Sequence, residues 1–463
     1  MESNKLYHLL LSNFVFEPNL KQQEAMIQLS KYIMSTSSRG VFLLKGYAGT
    51  GKTTLVSALV KSLWPVGKKT ILLAPTGRAA KVLSVYSEKS AVTIHKKIYW
   101  IKTNSKGNTY VTLQKNKHSN TVFVVDEASM IPDVSDRGFG GRSLLDDLIT
   151  YVYEGLNCKL ILIGDTAQLP PVHLDVSPAL NEELLVATYN REVYRFELTE
   201  VMRQSFNSMI LKNATKIREL ISEGNPNMLK LLCNKEVARL QSGIEIQDAL
   251  EDAYSQKGVE STVVICRSNK RANLYNQQIR KSILFNENSI SAGDLLIITK
   301  NNYFWSSEKL NISFLANGDI IQILEIFSIK ELYGFKFAEV KVKLVDYADE
   351  PILETIILLD TLNSDLPALS YDQSNKLYNE VQKDYINLKS KYKRFIKTKE
   401  NPFFNALNVK FSYALTCHKA QGGQWPTVFI EKPYLKEGVD MDYLRWLYTA
   451  VTRAEKRLYL IGF

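Results

Sequence analysis

One short run constrains this chain more than any other: Gly46-Tyr-Ala-Gly-Thr-Gly51-Lys52-Thr53-Thr54. It follows an apolar run, Val41-Phe-Leu-Leu-Lys45, and opens a helical pattern over residues 53–64. A strand, a glycine loop and a helix in that order form a phosphate cradle. Backbone N–H groups turn inward on the phosphate oxygens, and the helix N-terminus adds its partial positive charge. Lys52 is placed to reach the β- and γ-phosphates, and the Thr53 hydroxyl to ligand Mg²⁺. The candidate ATP-binding residues here are Gly46, Ala48, Gly49, Thr50, Gly51, Lys52, Thr53 and Thr54.

A phosphate loop needs a sheet behind it, and the chain supplies one. Further apolar runs stand at residues 70–74, 121–126, 159–164 and 193–198. Helix-compatible stretches at 77–86, 143–154 and 179–187 separate several of them. Apolar strands alternating with helices predict a parallel sheet covered on both faces. A second alternating set has strands at 262–266, 409–416, 427–430 and 457–461, with helices at 268–282 and 440–451. Two inserts interrupt the pattern. Residues 99–114 read as a β-hairpin turning at 104–108. Residues 317–405 read as β-rich at 319–326, 335–345 and 352–359, then as one charged helical arm over about 373–397. The expected division is 1–225 for the first domain with its hairpin at about 96–118, then 226–316 with 406–463 for the second. Residues 317–405 form the insert. The length, 463 residues, agrees with about three or four domains.

The strand ends carry the chemistry. Asp126-Glu127 follows Val-Phe-Val-Val, and two adjacent carboxylates there are costly unless used. Asp126 is expected to hold Mg²⁺ through its water shell, and Glu127 to act as general base on the attacking water. Gln168, in Gly164-Asp165-Thr-Ala-Gln168-Leu-Pro-Pro-Val172, can donate and accept at once toward the γ-phosphate or its water. Arg203 and Arg453 are candidate arginine fingers, a role worth about 10³–10⁵ in rate elsewhere.

In order and spacing these motifs resemble superfamily 1 helicases of the 5′-to-3′ branch, the Dda-like and RecD-like enzymes. Phe16-Glu-Pro-Asn-Leu-Lys-Gln22-Gln23-Glu-Ala25 is similar to the adenine-reading Q motif, with the contact at Gln22 or its neighbour Gln23. Residues 46–54 match motif I, and Ala74-Pro75-Thr76-Gly77-Arg78-Ala79-Ala80 matches motif Ia. Val92-Thr93-Ile94-His95 also fits this branch. Residues 126–129 match motif II, 164–172 motif III, and Val201-Met-Arg203-Gln204 motif IV. Tyr413-Ala-Leu-Thr416-Cys-His418-Lys419-Ala-Gln421-Gly422 resembles motif V, and 447–457 motif VI. Asn301-Asn302-Tyr303 followed by Asn317-Gly318-Asp319 is a further RecD-like signature. Cys417 and Ala420 are small departures from the usual motif V.

The resemblance implies two RecA-like domains closing on ATP, with Gln421 and Gly422 also at the nucleotide. It implies a Src-homology-3-like small barrel and a pin hairpin, and single-stranded DNA across the top of both domains. Its DNA contacts fall on Pro75, Thr76, Gly77, Arg78, His95, Tyr99, Trp100, Asn302, Thr416, His418 and Lys419. The expected activity is ATP-dependent, Mg²⁺-requiring unwinding with 5′-to-3′ movement, in replication, repair or recombination. The partners implied are single-stranded DNA and single/double-strand junctions, with single-strand-binding or replication proteins as further candidates, for a monomeric cytoplasmic protein of bacterial or phage type, associated with the nucleoid. The rival readings are an ATPase that strips proteins from DNA, a P-loop nucleotide switch or kinase, and an RNA substrate. Motifs V and VI speak against the switch, which needs no second arginine-bearing half.

Composition narrows the rest. The net charge of +10 suits a polyanion partner without proving one. No window approaches the roughly 18 apolar residues of a membrane helix, so no membrane partner is expected. The start, Met1-Glu-Ser-Asn-Lys, shows no signal-peptide pattern, and no nuclease domain is expected. The four cysteines form no CxxC pair, which argues against a zinc site or a disulfide framework.

Overall fold

Side chains that alternate between two apolar cores make a strand of a sheet covered on both faces. Phe42 and Leu44 enter one core with Leu29, Leu55 and Leu59, whereas Val41 and Leu43 enter another with Leu145, Leu148 and Val152. Val122, Val124, Ile161 and Ile163 follow the first set, and Phe123, Val125, Leu160 and Leu162 the second. The computed structural model describes residues 2–103, 109–133, 143–172, 174, 176–200, 208–305, 314–347, 350–366 and 368–463, with backbone alone at 101–103, 109–111 and 227.

The first sheet has six parallel strands in the order Ala91–Thr93, Lys69–Ala74, Thr121–Val125, Lys159–Gly164, Gly40–Gly46, Glu192–Leu198. This order sets the ends of three chemically loaded strands side by side on the carboxyl edge, where open α/β sheets bind ligands. The second sheet has five parallel strands in the order Ala414–Thr416, Thr262–Cys266, Trp425–Glu431, Ala454–Ile461, Val237–Leu240. The chain is thus two RecA-like α/β bodies. The helix Met209–Glu223 packs Ile210, Ala214, Ile217 and Leu220 into the second core, so the crossing between bodies precedes residue 209.

A closed five-stranded barrel joins Leu295–Ile298, Ile320–Leu332, Phe335–Leu344, Ile352–Leu358 and Leu407–Phe411. The single strand expected at 409–416 is therefore two. Leu407–Phe411 closes the barrel, and Ala414–Thr416 edges the second sheet. Asn276 pins the bend. Its amide donates to the Phe411 and Ala414 carbonyls at 3.1 and 3.0 Å, and its oxygen accepts the Ala414 N–H at 2.7 Å. The arm expected as one helix is also two, Tyr371–Lys383 and Lys391–Lys399, because the Ser390 hydroxyl caps a fresh start. The hairpin forms from Tyr99–Thr103 and Thr109–Leu113; its turn lies outside the described residues.

The barrel touches the first body at Gly77. A Cβ there would stand 2.6 Å from Asp319 Oδ1, so the close approach requires glycine. Asp319 Oδ2 accepts the Ala316 N–H at 2.8 Å and the Tyr347 hydroxyl at 3.0 Å, while Oδ1 is buried without a hydrogen-bond partner. Burial pushes this carboxyl up to about 7; Asp346 adds to the shift, and the Ala316 N–H, the Tyr347 hydroxyl and Lys96 oppose it. The folded state then holds a proton that the unfolded chain has released, so stability falls as pH rises between the unfolded and folded values. Asp319→Asn keeps one oxygen for both donors and removes the titration. Relative to the parent, this variant should gain on the order of 2–4 kcal/mol between pH 4.5 and 7.5, read by urea unfolding at both pH values. An equal difference at both pH values would refute the assignment.

Candidate active site

Backbone shape comes first. Gly49 and Gly51 have φ of 77° and 86°, the left-handed region that glycine adopts without strain, and they turn the loop into the helix Lys52–Leu63. The Lys52 ammonium donates to the Gly46 and Tyr47 carbonyls at 2.6 and 2.8 Å. Thr50 is buried, Thr53 is exposed and Thr54 is half-buried. The sequence left Gln22 and Gln23 as alternatives, and they now separate. Gln22 is buried and its amide donates to the Thr50 carbonyl at 3.1 Å, whereas the Gln23 amide turns to the Pro18 carbonyl at 3.1 Å.

The acids follow the strand Thr121–Val125, which Lys159–Gly164 separates from the phosphate-loop strand. Asp126 Oδ1 accepts the Glu127 N–H at 2.8 Å, and Oδ2 accepts the hydroxyl of Tyr86. Burial, then Asp126 itself, pushes the Tyr86 phenol well above its ordinary value, so it stays a donor. Glu127 has φ of 51°, a left-handed conformation that costs a non-glycine residue about 1–3 kcal/mol and recurs at working sites. Burial raises its carboxyl; Arg453 pulls it down, Asp126 up, and Lys52 down again. Gln168 is buried with its Oε1 unpartnered, an orphan acceptor of the kind a ligand or its water completes.

Arg453 arrives from the other end of the chain. It is 3% exposed, and its Nη1 stands 3.9 Å from Glu127 Oε1. Its donors go to the Thr449 carbonyl at 3.0 Å, the Gly423 carbonyl at 3.1 Å and the Thr452 hydroxyl at 3.1 Å. A cavity of about 350 Å³ gathers Ala48, Gly49, Lys52, Thr53, Asp126, Glu127, Gln168, Gly422 and Arg453. Gln421 stands beside it, donating to the Leu169 carbonyl at 2.7 Å. Arg203 lies outside the described residues.

The residues expected on a nucleic-acid track are spread over both bodies and the barrel. Pro75, Thr76, Gly77 and Arg78 follow the strand Lys69–Ala74. Thr76 caps the helix Gly77–Ser87 by accepting the Ala79 N–H at 3.2 Å. The half-buried Arg78 guanidinium stacks 3.8 Å from the Trp425 ring centre of the second body. Thr416 ends the edge strand of the second sheet, followed by half-buried His418 and Lys419. Burial and then Lys410 lower Lys419 to about 8. His95 is half-buried, with its ring 5.7 Å from Tyr99 and 6.3 Å from Phe314. Tyr99 is not presented for stacking: it is buried, and its hydroxyl donates to Asp147 at 2.8 Å. Trp100 beside it is 60% exposed. The Asn302 amide is engaged within the protein: it donates to the distant Asn405 carbonyl at 2.8 Å and accepts from the Phe304 N–H of its own loop at 3.0 Å.

Two family models fall on the two bodies: an AAA domain over residues 19–236 and a UvrD-like helicase C-terminal domain over 411–461. The chain is 25% identical over 457 residues to the ATP-dependent DNA helicase dda of Enterobacteria phage T4, covering 90% of this chain and 93% of that protein. These similarities support a superfamily 1 helicase of the Dda- and RecD-like branch. Identity to the ATP-dependent RecD2 DNA helicase of Deinococcus radiodurans is 30% over 172 residues, 37% of this chain and 21% of that one. A solved Pif1 helicase from Bacteroides aligns at 14% identity over 96% of this chain and 92% of its own, with a TM-score of 0.47. Nucleotide binding goes with membership of this family.

Some residues that shape the cleft carry little sequence signal. The Tyr448 hydroxyl accepts the Ala48 N–H at 3.0 Å and donates to Asp165 at 2.6 Å. Thr449 accepts the Leu169 N–H at 2.9 Å, and Arg445 donates to the Thr166 carbonyl at 2.6 Å. Apart from Arg445, which precedes motif VI, these residues fall in runs legible as motifs I, III and VI, but their pairing was not legible. Tyr448→Phe leaves a half-buried N–H and a buried carboxylate each short of a partner. It should cost about 1–3 kcal/mol in denaturant unfolding, whereas Tyr434→Phe at an exposed site should stay within about 0.5 kcal/mol. Equal effects of the two changes would remove Tyr448 from the seam.

Proposed function

We propose that this helicase hydrolyses ATP in the cleft between its two bodies and moves 5′ to 3′ on single-stranded DNA, unwinding duplex as it goes. The observation that carries the reading is the approach of Arg453 to Glu127 at 3.9 Å. A loop near residue 50 and an arginine near residue 450 meet at one nucleotide-sized cavity. Closing that cleft joins the bodies, and opening it parts them.

Each residue then has a task. The glycine loop and Lys52 hold the phosphates. Glu127, with its proton affinity raised by burial, takes the proton of the attacking water, and Gln168 Oε1 accepts that water's other hydrogen. Arg453 neutralises charge on the γ-phosphate; Arg203 is the second candidate for that work. Mg²⁺, held by Thr53 and through water by Asp126, would supply charge neutralisation at the β- and γ-oxygens. Among the described residues no group of three His, Cys, Asp or Glu side chains forms a metal cage. That donor set suits an ion that keeps its waters and is carried by phosphate.

On the DNA side, Thr76 and Thr416 each stand between a strand and the helix that follows, one on each body, so the bodies offer like contacts in tandem. Alternating grip at these two places converts closure into steps. Exposed Trp100 is the aromatic candidate for the strand-separating wedge. Exposed Lys389, Lys391 and Lys393 on the arm suit phosphate at the junction. The helicase is proposed to act as a monomer. Among the described residues no helix is long and apolar enough to cross a membrane.

ATP turnover should rise with single-stranded DNA, and duplexes with a 5′ tail should unwind where those with a 3′ tail do not. Stimulated turnover without unwinding of either would favour the protein-stripping reading, and a 3′ preference would overturn the polarity. Arg453→Ala should lower turnover by about 10³-fold or more with single-stranded DNA affinity changed by no more than about threefold. Lost DNA binding would move Arg453 out of the ATP site.

A further inference from the structure

We propose that Tyr86 is a positioning residue that restrains the metal-binding carboxylate of Asp126 and releases it when the helix that carries it is drawn toward DNA. This deepens, and rests on, the ATP-driven reading above. Tyr86 sits near the end of the helix Gly77–Ser87, and its hydroxyl donates to Asp126 Oδ2. The other carboxylate oxygen is taken by the Glu127 N–H at 2.8 Å. Both oxygens are therefore engaged, and the carboxylate plane is fixed by one backbone and one side-chain donor.

The far end of the same helix is a place where the first body meets both the barrel and the second body. Thr76 caps it, Gly77 abuts Asp319 of the barrel, and Arg78 stacks on Trp425 of the second body. A helix moves as a rigid rod, and nine residues at about 1.5 Å each put Gly77 roughly 14 Å from Tyr86. A phosphate that engages Thr76 and Gly77 pulls on one end, and the phenol at the other end moves with it. Tyr86 also lines both the ATP cavity and a neighbouring cavity of about 420 Å³ that holds Arg78, Asp346 and Trp425. It is thus the side chain through which the rod touches the acid.

The plain alternative is a buried tyrosine whose hydroxyl found the nearest acceptor. The two differ in what Tyr86→Phe does. As a restraint, its loss frees Oδ2, so the Mg²⁺ concentration that half-saturates Mg²⁺-dependent binding of a fluorescent ADP should fall about three- to tenfold without DNA. The DNA-free ATPase should rise toward the stimulated rate, and the stimulation ratio should shrink by a similar factor. ATP KM and single-stranded DNA affinity should hold. As a packing residue, Tyr86→Phe would leave the Mg²⁺ dependence and the ratio unchanged, and that result overturns the proposal. So does a fall in turnover that Mg²⁺ cannot restore. Tyr86→Leu removes the same donor with a different shape and should reproduce the Mg²⁺ shift. The Mg²⁺-binding arm uses no DNA and no turnover, so it can fail while the helicase reading stands. A parent protein that DNA does not stimulate would sink that reading and leave the binding arm intact.

Discussion

A phenol oxygen bridges the two halves of this molecule. Tyr448 belongs to the second body, yet it accepts from a backbone N–H of the phosphate loop and donates to Asp165 at the end of a neighbouring strand. Burial, followed by the charge of Asp165, pushes its pKa well above the ordinary value, which keeps the proton in place and the donor available. Thr449, Arg445 and Gln421 fasten the loop that runs from Asp165 to Leu169. The position of that loop, and of Gln168 within it, is therefore set by contacts from the second body as much as by its own sheet. Relative motion of the bodies cannot leave the hydrolysis groups where they are.

The cleft is also expensive. Asp126, Glu127 and Asp165 crowd one edge of a sheet, and Lys52 with Arg453 supplies the opposite charge. Removing ionised groups from water costs several kcal/mol each unless partners compensate. Arg453 shows how the fold handles this. Two backbone carbonyls and a threonine hydroxyl hold its guanidinium in place, while it stays 3.9 Å from the Glu127 carboxylate. A cation fixed by neutral acceptors keeps its charge for whatever enters the cavity, and its orientation requires no rearrangement when negative charge develops.

The architecture and most cleft residues were legible because their signals are local. A buried parallel strand is a continuous apolar run, and its chemistry follows at the next residue, as at Val125-Asp126 or Gly164-Asp165. The failures share the opposite cause. The bend at Ser412-Tyr413 is written at Asn276, far upstream, so 409–416 looked like one strand. Tyr99 looked like an aromatic of the pin, but Asp147 on the helix Leu144–Glu154 draws its hydroxyl inward. Asn302 looked like a ligand and instead ties its loop to Asn405. In each case a distant or unremarkable partner decides where a side chain goes, and periodicity carries no information about partners.

Arg78 shows why the inserted barrel is more than an appendage. The resemblance to helicases places this residue at a DNA phosphate, yet its guanidinium lies over Trp425, and a Cβ on Gly423 would stand 2.8 Å from its Nε. Its electrostatic neighbours include Asp346 of the barrel, which opposes the lowering caused by burial. A phosphate that engaged Arg78 would compete with a stacked ring and a carboxylate at once, contacts worth about 1–2 kcal/mol or more when desolvated. That competition would join phosphate binding at Arg78 to the seam between the bodies and to the barrel in one step. The strand-end motif is then a joint among three parts of the chain, and a ligand that engaged it would act on the seam that also shapes the cleft.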